Sequence, residues 1–165
     1  MSLRGMLRPG MRAYLFPLVA GICLAVSAFL PWIHINDVSL SGLGEMTAIW
    51  IVVLGALAAV LATLSMITRR NSRHPLLIIG LIALAIMFLS WRLMPQLAVQ
   101  RARTRSQAIA IVEGSPIGES PTATAAVGIY VGLVSSIVIV LFGMTIVVKR
   151  AAATYAVTTP DDDVD

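Results

Sequence analysis

Charge is scarce in this 165-residue chain: Asp, Glu, Lys and Arg together make up 12% of it. Ordinary soluble domains carry about a quarter. Cysteine occurs once, at Cys23, so no internal disulfide can form. Its simplest use is as a small packing residue. The most informative lack is local. Four long apolar runs contain no Asp, Glu, Lys or Arg at all. Pumps and ion-coupled transporters keep an ionisable group inside the membrane to carry or couple charge, and these runs offer none. A serine or cysteine nucleophile needs a base and an orienting group beside it. Cys23 and the serines have no such company, and no two carboxylates stand at a workable spacing. The composition therefore argues against catalysis.

What the chain has instead is apolar surface. Hydrophobic residues make up 58%, and mean hydropathy is +0.91. So short a chain cannot bury that much against itself, and lipid is the solvent that fits. The uncharged runs are 13–33, 47–68, 75–91 and 125–148. A helical crossing takes about 20 residues, with a range of about 17 to 25. The third is short at its far end unless Arg92 snorkels outward. Leu, Ile, Val and Ala dominate, and the short alternating segments of a membrane barrel are missing. The expected fold is an all-α membrane protein, four transmembrane helices in an up-down bundle over 13–148. Residues 34–46 and 92–124 are expected as outer loops. Residues 1–12 form a basic lead and 149–165 an acidic tail. The first run has a basic lead and a passable cleavage site at Val26-Ser27-Ala28, but it exceeds a signal peptide's apolar core. Ile22 before Cys23 is too bulky for a lipoprotein signal.

Flanking cations set orientation. Arg4, Arg8, Arg12, Arg69, Arg70, Arg73, Lys149 and Arg150 fall on one side of a four-span chain, and Arg92, Arg101, Arg103 and Arg105 on the other. Eight against four puts both termini in the cytoplasm. Four spans also put Trp32, Trp50 and Trp91 together at the outer interface, the depth indole prefers.

The stretch "FLPWIHINDVSLSGLGEM", Phe29 to Met46, then reads as a short outer turn. Pro31 ends the first helix, Gly42 and Gly44 permit the turn, and Ser41 and Glu45 stand where they could cap the next helix. The competing reading is a site. His34, Asp37 and Glu45 carry suitable metal-ligand groups, yet their spacing matches no ligand motif. His34 and His74 are the candidate axial ligands for haem or pigment. They fall at opposite edges of a bilayer roughly 30 Å thick, so they cannot share one cofactor. No cofactor or metal is expected.

Small residues form stripes: Gly21 and Ala25; Gly55, Ala59 and Thr63; Gly128, Gly132 and Ser136. Such stripes let helix backbones approach closely in lipid. Packing within the monomer is the simpler use, and docking on a partner's helix the sharper one. Arg101, Arg103 and Arg105 form the best surface candidate, for a partner subunit or for anionic lipid. Arg101 and Arg105 share a helical face, while Arg103 points away. The sequence pI is about 10.0, but the cations are split between two membrane faces and form no strip for nucleic acid.

The run "LPWIHINDVSLSGLGEMTA" (Leu30–Ala48) resembles small bacterial four-span membrane proteins of the tryptophan-operon-associated type, a group of uncharacterised function. They pair an LPW at the end of the first helix with an SGLG turn before the second. The resemblance covers about Gly21 to Leu64. It implies a protein of the bacterial cytoplasmic (inner) membrane and carries no catalytic residues. The functional expectation is an accessory subunit of a larger membrane complex, respiratory or photosynthetic for example, in contact with lipid and other membrane-protein subunits. The alternatives are a small-solute or lipid-handling transporter and a haem- or pigment-binding subunit. Topology is directly testable. Reporter fusions at Asn71 and Ser115 should read cytoplasmic and outer, respectively; the opposite pattern rejects the orientation.

Overall fold

The computed structural model describes residues 13–35, 38–68, 73–114 and 122–154. The lead with Arg4, Arg8 and Arg12, then Asp37, Arg69, Arg70 and the acidic tail from 155 onward lie outside them. The chain is mostly helical. Helix α1 (Leu15–Ser27) is followed by strands β1 (Pro31–Ile35) and β2 (Val38–Ser41) and a 3₁₀ turn (Gly42–Gly44). Then come α2 (Met46–Thr68), α3 (Arg73–Glu113), β3 (Ala123–Ala125) and α4 (Val127–Thr154). Three helices are long and apolar enough to cross a membrane: α2, α3 and α4 over Val127–Thr145. Helix α1, with 13 residues, is shorter. By composition and length this is a membrane protein.

Several expectations change. The fold is not all-α, because a three-stranded antiparallel sheet in the order β2-β1-β3 stands at one end of the helices. The first run is helical only to Ser27, and its last residues enter β1. The 34–46 loop is the rest of a hairpin, with Ile35 paired to Val38, plus the 3₁₀ turn. The local reason is legible in "IHI" and "VSLS": apolar and polar residues alternate with the period of a half-buried strand. Residues 92–124 are not one loop either, since α3 is helical through Glu113. Leu, Met, Gln, Ala and Arg after position 92 are strong helix formers. Pro95 costs the bond to the Trp91 carbonyl, and the helix runs on through it.

Packing follows the small residues. Gly21 and Ala25 of α1 face Gly55 and Ala59 of α2. A Cβ on Gly21 would lie 2.8 Å from the Ala59 nitrogen, and one on Gly55 2.6 Å from the Ala25 nitrogen. Helix α4 packs on α1 and α3, closing a ring in which the α2–α3 seam is the loosest. Along α3 the buried residues are Leu76, Ile79, Gly80, Ala83, Met87, Ser90, Met94 and Ala98, one stripe at helical spacing. Leu24, Ile51, Leu76, Met87, Ile129 and Ile139 fill the middle. Buried hydroxyls turn to their own helices: Ser27 donates to the Leu24 carbonyl (2.6 Å) and Ser136 to that of Leu133 (2.8 Å). At the end away from the sheet, the Tyr14 ring meets Phe142 edge-on at 5.0 Å, and the Arg73 guanidinium lies 5.5 Å over the same Phe142 ring.

The glycine contacts differ in kind. Gly55 is bounded by backbone, whereas the first neighbour of Gly132 is the flexible end of Met87. Gly55→Leu should destabilise by 1–3 kcal/mol or more, about the cost of overpacking. Gly132→Leu should cost less, and Gly44→Ala, which meets nothing within 4 Å, about 0.5 kcal/mol at most. Thermal melting in detergent reads the order. A Gly55→Leu melt equal to the parent's would show that α1 and α2 do not meet there.

Candidate functional site

The sheet end of the bundle is organised by a strand irregularity. Pro31 pairs with Ser41 and Ile33 with Leu40, so β1 holds one extra residue, Trp32, between two consecutive pairs. Such a bulge re-aims a side chain and lets two adjacent residues face the same way. Trp32 and Ile33 are accordingly both buried, at 1% and 6% exposure. The Trp32 indole N–H donates to the Ser27 carbonyl at 2.8 Å. The Trp32 carbonyl accepts from the Ala126 N–H, also at 2.8 Å. The ring is seated between Gly42 and Gly128: a Cβ on either glycine would lie within 2.6 Å of it. Trp32 is therefore a core residue rather than an interfacial anchor. Trp50 and Trp91 are exposed on α2 and α3, and the Trp91 ring lies 5.8 Å from Phe88.

Beside this plug, at the end of the α2–α3 seam where Thr47 is the one lining residue of α2, a groove of about 640 Å³ opens between the hairpin and α3. That volume falls in the range of small-molecule sites, about 300–1,000 Å³. One wall is the hairpin and the 3₁₀ turn, and Trp32 contributes to it; the other is α3. On α3 the lining runs Ile86, Leu89, Leu93, Leu97, Arg101, Arg105. Steps of three and four keep these on one helix face. The face is apolar to Leu97 and cationic beyond. Arg103 is exposed and does not line the groove. Arg101 Nη1 donates to Glu45 Oε1 at 2.6 Å across the mouth. With side chains 68% and 36% exposed, the pair adds at most about 1 kcal/mol of stability. Its consequence is positional, because it ties α3 to the start of α2. Glu45 thus spends its carboxylate on Arg101, and Ser41, expected as a cap, makes no side-chain cap bond.

The other sequence candidates are dispersed. His34 is exposed on β1, opposite Ser39 and Thr124, and His74 is exposed in the first turn of α3 at the far end. They are not brought together, and no group of three metal-ligating side chains occurs among the described residues. The small-residue stripes meet one another or the Trp32 plug. Gly21 and Ala25 adjoin Gly55 and Ala59, Gly128 adjoins Trp32, Gly132 adjoins Met87 and the Ser27 hydroxyl, and Ser136 is fully buried. Sequence reasoning missed the groove. The signal was the succession of Leu93, Leu97, Arg101 and Arg105 at four-residue steps, hidden because helix α3 was not expected past Trp91.

Trp32→Phe keeps much of the ring's apolar bulk but removes the indole donor from the Ser27 carbonyl, which keeps only the longer bond from the Leu30 N–H at 3.3 Å. Losing one such bond costs about 1 kcal/mol. Trp32→Phe should therefore lower the melting temperature clearly, while Trp50→Phe leaves it nearly unchanged. Equal melts would mean the indole N–H contributes nothing.

No family model, curated protein or solved structure matches this chain.

Proposed function

We propose that this chain is a non-catalytic protein of a bacterial cytoplasmic membrane that crosses four times with both termini inside. Its task in this reading is that of an accessory subunit of a larger membrane complex. Support for four crossings comes from what α1 touches at each end. Tyr14, just before it, adjoins Phe142 late in α4, and Trp32, just after it, adjoins Gly128 at the start of α4. Residues 14–32 therefore run beside α4 from Gly128 to Phe142, the turn at 28–30 and the first residues of β1 making up for the short helix. Strands β1 and β2, between α1 and α2, and strand β3, between α3 and α4, lie in one sheet at one end, as an up-down bundle requires.

The observation that carries the subunit reading is the far end of α3. Arg101 stands level with the start of α2 through its bond to Glu45. Ile111 lies ten residues further on, roughly 15 Å along a helix, beyond the apolar length of α2. There Ile111 and Val112 are 83% and 86% exposed, with Ile109 also exposed. Clustered exposed apolar groups outside lipid mark a contact surface. A photo-crosslinker at Ile111 should capture one defined membrane chain in intact cells. Glu at Ile111 and Val112 should abolish that capture without altering the melt. Crosslinking to lipid alone, or capture unaffected by the two Glu substitutions, rejects the subunit reading.

The groove supports a second reading, the handling of a lipid or small solute at the outer end of the α2–α3 seam. It is apolar along most of its length and opens beside Leu89 and Leu93, both half exposed on the outside of the helices.

A further inference from the structure

We infer that the α2–α3 groove is a binding site for an anionic phospholipid of the surrounding membrane, one acyl chain lying along α3 and the headgroup phosphate meeting Arg101 and Arg105. The inference rests on the lipid-handling reading for its location only. Occupancy is an equilibrium property, whereas transport requires movement between leaflets, so either can fail without the other.

The order of residues along one helix face carries it. Ile86, Leu89, Leu93 and Leu97 are followed at the same spacing by Arg101 and Arg105, and all six line the groove. The apolar part runs from Ile86 to Leu97, roughly 16 Å of helix axis. A ligand that fits this face must be apolar along one stretch and anionic at one end. A zwitterionic phospholipid brings a phosphate but also its own ammonium group, so it leaves the mouth's net positive charge unmatched, whereas an anionic headgroup matches it. A small solute would leave the apolar stretch unused.

Depth agrees with a lipid. Glu45 immediately precedes α2, and the Arg101–Glu45 bond of 2.6 Å holds Arg101 at the level where α2 begins. That is the headgroup level if α2 is a crossing. The apolar stretch then lies in the outer leaflet, beside the bilayer rather than above it. Charge agrees as well. The mouth carries Arg101 and Arg105 against Glu45, a net single positive charge, and Glu45 fixes Arg101 in place without neutralising both. Arg105 has no ion-pair partner among the described residues. Arginine offers a fork of donors suited to phosphate oxygens.

Trp32 lines the groove and supplies the probe. The chain has three tryptophans, and Trp50→Phe with Trp91→Phe leaves Trp32 as the only one emitting. The full chain with these two changes is reconstituted in phosphatidylcholine vesicles. Lipids brominated on the acyl chain, which quench indole at close range, are then titrated in. Dibrominated phosphatidylglycerol should reach half-maximal quenching at a several-fold lower mole fraction than dibrominated phosphatidylcholine. Arg101→Gln and Arg105→Gln should each reduce that preference by about fivefold at most, the effect of one cation near a membrane surface. The emission maximum of Trp32 must stay at the parent's value in both. Should the Gln variants misfold, added salt supplies the second test, since it should weaken the preference of the unaltered arginines. Equal quenching by the two lipids overturns the proposal, as does a preference indifferent to both arginines and salt. Stronger quenching by a dibrominated free fatty acid would assign the groove to a different amphiphile and overturn the phospholipid. No quenching by any lipid would mean that protein covers the groove, and would overturn it too.

Discussion

Burial of Trp32 is the constraint on which the sheet end of this protein depends. An indole carries a large apolar area and one obligatory donor, so a buried one needs both a space and an acceptor. Both are supplied by parts far apart in sequence. The Ser27 carbonyl, at the end of α1, takes the N–H. Gly42, between β2 and α2, and Gly128, in the first turn of α4, make the space. The backbone of the same residue accepts from Ala126 and so brings β3 alongside β1. One side chain thus draws the α1–α2 connection and the α3–α4 connection into a single small sheet. In lipid, apolar groups gain little by leaving lipid for protein. The helices are held by close backbone approach, as at Gly21 and Gly55, and the sheet adds a hydrogen-bonded fastening at one end.

The same geometry explains why the groove lies where it does. Trp32 and Ile33 point into the bundle from the α1–α4 side. The hairpin that carries them hangs over the α2–α3 seam without filling it. Below the seam's outer end, Met87 and Ala83 of α3 are fully buried. Above it, α3 meets the sheet through β3 and β1. Between these levels the wall residues are Leu89, Leu93 and Leu97, which remain half exposed. Glu45 and Arg101 then bridge the opening at its top.

How much of this could be read from the sequence depended on whether the cause was local. The runs at 47–68 and 125–148 are apolar without interruption, and α2 and α4 occupy nearly those residues. The sheet was readable only in part. "IHI" and "VSLS" alternate, but the extra residue at Trp32 breaks the period just where a strand would have been recognised. Strand β3 is three residues of Ala and Thr, and it pairs with residues about ninety positions earlier, a contact with no local signature. Trp32 itself misled, because an indole beside Pro31 at the end of an apolar run is ordinarily an interfacial anchor. Its burial depends on a bulge and two glycines that only the fold brings together.

Helix α3 shows the opposite failure, in which local signals were present and outweighed. Arg92, Pro95 and three arginines between 101 and 105 each argue for an exit from the membrane, and so for a loop. An exit from lipid is not an exit from helix. Every residue from Gln96 to Gln107 except Val99, Thr104 and Ser106 is a good helix former. The buried stripe continues through Met94 and Ala98 against the sheet. One continuous helix therefore joins an apolar segment to a charged one, and its faces change chemistry along its axis rather than around it. A periodicity test looks for segregation around the axis and finds none in 97–113. Segregation along the axis is what sets leucines below and arginines above on the groove face. It also carries Ile109, Ile111 and Val112 out past the arginines, where their apolar side chains stand exposed.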